Sequence, residues 1–149
     1  MTPQEGGTPA PLSFPMPIEA SAAVAQLMLK HFTDWEVGVG DGAMLDNGGN
    51  ATQTPDGRYN AVAYERSQRD LVGKKKLWRK CDPGFPIFQG GAIVGKATFQ
   101  DREANHDILE RGLRATDPAT GKQVMFVRLP GDAGTKRGGL WYCEIEWVL

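Results

Sequence analysis

The last ten residues, Leu140–Leu149, constrain the fold more than any other stretch. Trp141, Cys143, Ile145, Trp147 and Leu149 alternate with Tyr142, Glu144, Glu146 and Val148. A period of two is that of a β-strand with one face in a core. Such a strand needs neighbours to pair with and a second layer to cover its apolar face. Lys122–Leu129 reads as the strand before it, and Leu113–Thr116 as the one before that, joined by the turn Asp117-Pro118-Ala119-Thr120-Gly121. The last third is therefore expected to be a β-meander. On its outer face Lys122 and Arg128 are the natural cross-strand partners of Glu144 and Glu146.

Further elements follow from turn chemistry. Phe85–Gln89 and Ala92–Phe99 flank Gly90-Gly91, a pair suited to a tight hairpin turn. Trp35–Val39 reads as a short strand, closed by the turn Gly40-Asp41-Gly42. A long polar loop begins at Asp46 and runs to Gly57. Segment 58–72 carries two signals. Asn60 could cap a helix over Ala61–Leu71, whereas the alternation around Tyr59 and Ala61 favours a strand over 58–65.

Helical periodicity is strongest near the start. Pro17 suits a first helical turn, and Ile18, Ala22, Ala25, Leu29 and Phe32 then fall on one apolar line, widened by Val24, Leu27 and Met28. A second, short helix is expected from an N-cap at Asp101 to a C′ residue at Gly112, with Ile108 and Leu109 facing the sheet. The fold class is α+β: mainly antiparallel sheet, packed by one long N-terminal helix and one short helix.

Residues 1–17 differ from all this. Pro3, Pro9, Pro11, Pro15 and Pro17 exclude both a helix and a central strand. This is read as an extended arm in front of a single domain, 18–149. Its apolar residues Leu12, Phe14 and Met16 need a surface to lie on and are the candidate interface.

Charge is unevenly spread. Up to Gly57 the chain has seven acids (Glu5, Glu19, Asp34, Glu36, Asp41, Asp46 and Asp56) against Lys30 alone, although its net charge is only −1. The compensating cations concentrate between Arg58 and Lys80. The run Lys74, Lys75, Lys76, Trp78, Arg79 and Lys80 is the candidate patch for an anionic partner, with cations for phosphates and one ring for stacking. Lys136 and Arg137 are placed to extend it.

Little else points to chemistry. His31, His106, Cys81 and Cys143 lack zinc-ligand spacing. Asp41, Asp46, Asn47 and Asn50 are turn-forming oxygens without EF-hand spacing. Gly38-Val39-Gly40-Asp41-Gly42 resembles part of a phosphate-cradling loop, but the apolar helix precedes it. No catalytic residues, metal or cofactor are implied, and the two cysteines are expected to be reduced thiols. No apolar run is long enough to span a membrane, and the start carries no secretory pattern, so a cytoplasmic product is expected.

These features lead to a non-enzymatic assembly subunit, a homo-oligomer also contacting other protein subunits. In architecture the chain resembles small virion proteins of tailed phages (tail terminators, head–tail connectors, decoration proteins), which join a compact body to an arm that straps a neighbour. On that resemblance the product is made in the cytoplasm and incorporated into a particle. Two other functions fit the sequence. One is a small-molecule sensory domain with Trp35, Tyr59, Trp78 and Phe88 lining a pocket. The other is nucleic-acid binding through Lys74–Lys80.

Overall fold

The computed structural model describes residues 16–149. Helix α1 (Ile18–His31) is followed by strands β1 (Thr33–Gly40), β2 (Lys76–Lys80), β3 (Ile87–Gln89), β4 (Ala92–Phe99), β5 (Glu110–Thr116), β6 (Gln123–Pro130) and β7 (Trp141–Val148). Every strand pair is antiparallel. The strands form a four-stranded sheet, β2-β1-β5-β6, and a three-stranded sheet, β3-β4-β7. The fold is α+β and mostly antiparallel sheet.

The two sheets bury their alternating apolar faces against each other. Val37, Val39, Leu113 and Ala115 from one meet Ile93, Ala97, Phe99 and Ile145 from the other. Gly95 allows this close approach: a Cβ there would lie 2.7 Å from Leu113 Cδ1. At β6 the register skips one residue, pairing Leu113 with Val127 but Arg114 with Met125. The extra residue of this bulge is Phe126. Its ring stacks between Trp35, at 5.4 Å, and Trp147, at 4.7 Å.

Helix α1 starts behind Pro17 and stops where Phe32 turns extended. Ser21 and Ala25 are buried, and Met28, Leu29 and Phe32 reach the core. The apolar stripe is wider than the core needs, so Ile18 and Leu27 remain 63% and 68% exposed. His31 Nε2 lies 3.1 Å from Asp117 Oδ1, tying the helix end to the β5–β6 turn.

Four sequence expectations change. There is no helix at 101–112. The Lys136 ammonium takes the carbonyls of Gln100 (2.7 Å) and Asp101 (3.4 Å) that a first helical turn would use. Ala104 has φ +54, outside the helical range. Gly112 is a mid-strand glycine and not a helix stop, because a Cβ there would lie 2.7 Å from Trp78 Cη2. The meander is also interrupted. β5 and β6 form its hairpin, but β7 crosses to the other sheet and pairs with β4.

That crossing dissolves the expected charge pairs. Glu144 stands opposite Lys96, and Arg128 is buried against Glu110. The segment read as a strand over 58–65 holds only isolated bridges, Gln53 with Tyr59 and Ala43 with Ala61. Conversely, most of the basic run, Lys76–Lys80, is a regular strand, β2.

Candidate functional site

The basic run is largely committed within the fold. Lys76, Trp78 and Lys80 share one face of β2 and stand opposite Gly40, Gly38 and Glu36 of β1. Trp78 covers Gly38 so closely that a Cβ would lie 2.6 Å from its Cδ2. The Arg114 guanidinium packs on the indole at 4.3 Å. Trp78 Nε1 donates to Asp70 Oδ1 at 2.9 Å, and Lys76 Nζ donates to Asp70 Oδ2 at 3.0 Å. Burial alone would raise the Asp70 carboxyl, but the Lys76, Trp78 and Leu71 donors outweigh it and hold the group below its ordinary value. Arg79 pairs with Glu103 and Lys80 with Asp34, each at 3.4 Å. Lys74 and Lys75 are exposed. Lys136 is buried and cannot extend the patch.

The uneven charge of the sequence therefore closes on itself in part. Acidic β1 lies between β2 and β5. Glu36 Oε1 accepts from Arg114 Nε at 2.6 Å, and Asp34 pairs with Lys80 across β1 and β2, whereas Asp41 Oδ1 accepts the backbone N–H of Lys75 at 3.0 Å.

A buried ion pair was invisible in the sequence. Glu110 and Arg128 have fully buried side chains and meet at 2.8 Å. Glu110 also accepts the backbone N–H groups of Gly42 (3.1 Å), Val72 (2.8 Å) and Gly73 (2.7 Å). Cβ atoms on Gly40 and Gly42 would lie 2.5 and 2.7 Å from Glu110 Oε2. The glycine-rich turn at 38–42 does cradle an anion, but the anion is this internal carboxylate. Arg128 Nη1 donates to Val62 O at 2.9 Å, while its Nη2 is buried without a hydrogen-bond partner among the described residues. The pair pins both ends of the segment between β1 and β2 onto the sheet. No local pattern could reveal it, because its partners lie 18 to 68 positions apart.

Other sequence candidates are separated. Trp35 lies in the core, Phe88 packs at its margin, Trp78 covers the outer face, and Tyr59 lines a cleft of about 370 Å³ with Asp41, Lys74 and Asp107. Asp46 Oδ1 is used by the Gly48 and Asn50 N–H groups, which hold its carboxyl below the usual value. His106 Nδ1 contacts Asp107 O at 2.8 Å. Cys81 and Cys143 are free, and burial pushes both thiols up to about 11. Among the described residues no cluster of three or more His, Cys, Asp or Glu is placed to hold a metal ion. No described helix is long and apolar enough to cross a membrane.

A further concave surface lies along a seam between the two sheets. β6 ends one sheet and β7 the other. A groove runs along β6, lined by the consecutive residues Phe126–Pro130 together with Tyr64 and Trp147. Consecutive strand residues line one groove only when it follows the strand edge, since side chains alternate between faces. A second hollow shares Leu129 and continues along Glu144–Glu146 of β7 to Arg111. Of the candidate arm residues, Leu12 and Phe14 lie outside the described residues. Met16 is exposed, and its carbonyl accepts from Ser21 Oγ at 3.4 Å.

Comparison with protein-family models, with curated proteins and with solved structures finds no match.

Proposed function

We propose that this chain is a non-enzymatic assembly subunit that works through protein–protein contacts, in the manner of a small virion component of a tailed phage. The observation that supports this most is the seam: two strand edges, unpaired among the described residues, flank an apolar groove, and such edges are templates for another chain. Exposed Ile18 and Leu27 on α1, and Tyr142 and Val148 on β7, add apolar surface of the kind that partners cover. The virion assignment itself rests on architectural analogy, a proline-rich arm joined to a small α+β body.

Nucleic-acid binding is the weaker reading. Trp78 is sandwiched into the sheet and Lys76, Arg79 and Lys80 face carboxylates, so only Lys74 and Lys75 of the patch are left uncommitted by these contacts. The assembly reading is tested by the solution mass of the full chain across a concentration series. A ring or larger oligomer is expected, and a strict monomer at all concentrations refutes it.

A further inference from the structure

One residue interrupts the apolar layer between the two sheets. In the antiparallel register Val39, Arg111 and Leu129 stand side by side across β1, β5 and β6. Residues directly opposite in a sheet share a face, and Val39 and Leu129 belong to the core. Arg111 therefore extends its guanidinium between the sheets, toward β7. There its Nη1 donates to Glu144 O at 3.1 Å. Burial pushes the Cys143 thiol up to about 11, and the Arg111 guanidinium beside it acts in the opposite sense. Among the described residues no carboxylate lies within ion-pair distance of Arg111. A cation on a core face with no anion of its own calls for an anion from elsewhere.

The same side chain lines a pocket of about 170 Å³ at one end of the two sheets. Val39, Phe99, Ile108 and Trp141 give the pocket apolar walls, and Ala104 and Ala133 are too short to fill it. The walls are braced from behind. The Ala133 N–H donates to Ile108 O at 2.7 Å and the Ile108 N–H to Gly134 O at 2.8 Å, which stitches the β6–β7 connection to the segment before β5. The Lys136 ammonium is taken up by Gln100 O, Asp101 O and Asn105 Oδ1, one acceptor for each of its donors. Of the two cations that line the pocket, Arg111 is thus the one with donors left for a ligand.

We propose that this pocket binds a small apolar monocarboxylate, with its hydrocarbon body among Val39, Phe99 and Ile108 and its carboxylate on Arg111. Size sets the first limit, since an apolar cavity of about 150 Å³ takes a benzene ring. Charge and shape set the second. A guanidinium fork matches a carboxylate in plane and in spacing. Glu144 is near enough for its charge to raise the Cys143 thiol, and that charge opposes a dianion such as a phosphate monoester. The site does not depend on the assembly reading.

Benzoate is the probe, titrated into the isotope-labelled full chain and followed by amide chemical shifts, with its neutral isostere benzamide alongside. The signals of Ala104, Ile108, Ala133 and Cys143 should move together and saturate with a Kd of roughly 1 mM or below. Benzamide should bind about tenfold more weakly. Arg111→Met keeps the stem and removes the charge, so it should weaken benzoate by about the same factor and leave benzamide within about twofold. Cys143→Leu fills the pocket from β7 and should abolish benzoate binding. Equal affinity for the two probes in the parent, or full benzoate affinity in Arg111→Met, overturns the carboxylate assignment. Shifts confined to other residues, or none at about 10 mM benzoate, overturn the pocket itself. If a variant fails to fold by circular dichroism, the two probes and the shift map of the parent decide the matter.

Discussion

Glu110→Ala is expected to be the most damaging single substitution that leaves the apolar core intact. It removes the carboxylate that pairs with the fully buried Arg128 guanidinium and strips an acceptor from three backbone N–H groups. Breaking a buried ion pair from one side costs about 3–5 kcal/mol, because the remaining charge is left desolvated. Each orphaned amide adds about 1–3 kcal/mol if it stays buried. These amides belong to the segment between β1 and β2, which can lift and let water in, so the full amide cost is not expected to add. A loss of about 4 kcal/mol results, which for a chain of this size lowers Tm by roughly 8–16 °C. Urea titration followed by tryptophan fluorescence measures it. A cycle with Arg128→Met should return a coupling of about 2 kcal/mol, since the double variant no longer buries a lone charge. Hydrogen exchange adds a local readout: the Val72 and Gly73 amides should exchange at the global unfolding rate in the parent and much faster in the variant. A loss below about 1 kcal/mol with simple additivity would refute the reasoning, because it would mean that water already solvates the pair.

Three further expectations use the same geometry. Gly38→Ala should cost about 1–3 kcal/mol by overpacking against the Trp78 indole, and Trp78→Leu should reduce that penalty; equal penalties in both backgrounds would exclude the clash. The Asp70 carboxyl is held below its unfolded value, so its contribution is present above roughly pH 4 and is lost as pH falls through the lower folded value. The gap in urea midpoint between the parent and Asp70→Asn should accordingly narrow from pH 6 to pH 3, and a constant gap would contradict the ion pair. Cys81 and Cys143, with thiols near 11, should label slowly with a disulfide reagent at pH 8 in the native protein and rapidly in denaturant. Rapid native labelling would place either thiol outside its buried setting.

Local patterns carried the elements whose information is local. The alternation at 141–149 specifies β7 whatever its partners, because one face must be apolar. Gly90-Gly91 marks the β3–β4 turn, with φ of +61 and +80, since few other residues take those angles. Helix α1 was legible from its 3.6-residue stripe. Which strand β7 pairs with was not legible: its pattern states that a face is buried, not by whom, and the crossing to β4 is set by how two sheets fit around Phe126 and Trp147.

The same limit governs the charges. Glu110 and Arg128 look like ordinary strand residues until folding removes both from water and supplies Gly42, Val72 and Gly73 as donors. Lys74–Lys80 looks like an anion patch until β2 is laid beside β1, where Asp34, Asp70 and Glu103 answer three of its cations. Composition and period thus determined an antiparallel α+β fold with a long helix. Tertiary structure alone decided strand order and which charges are neutralised, because both depend on groups that meet only when distant segments exclude water together.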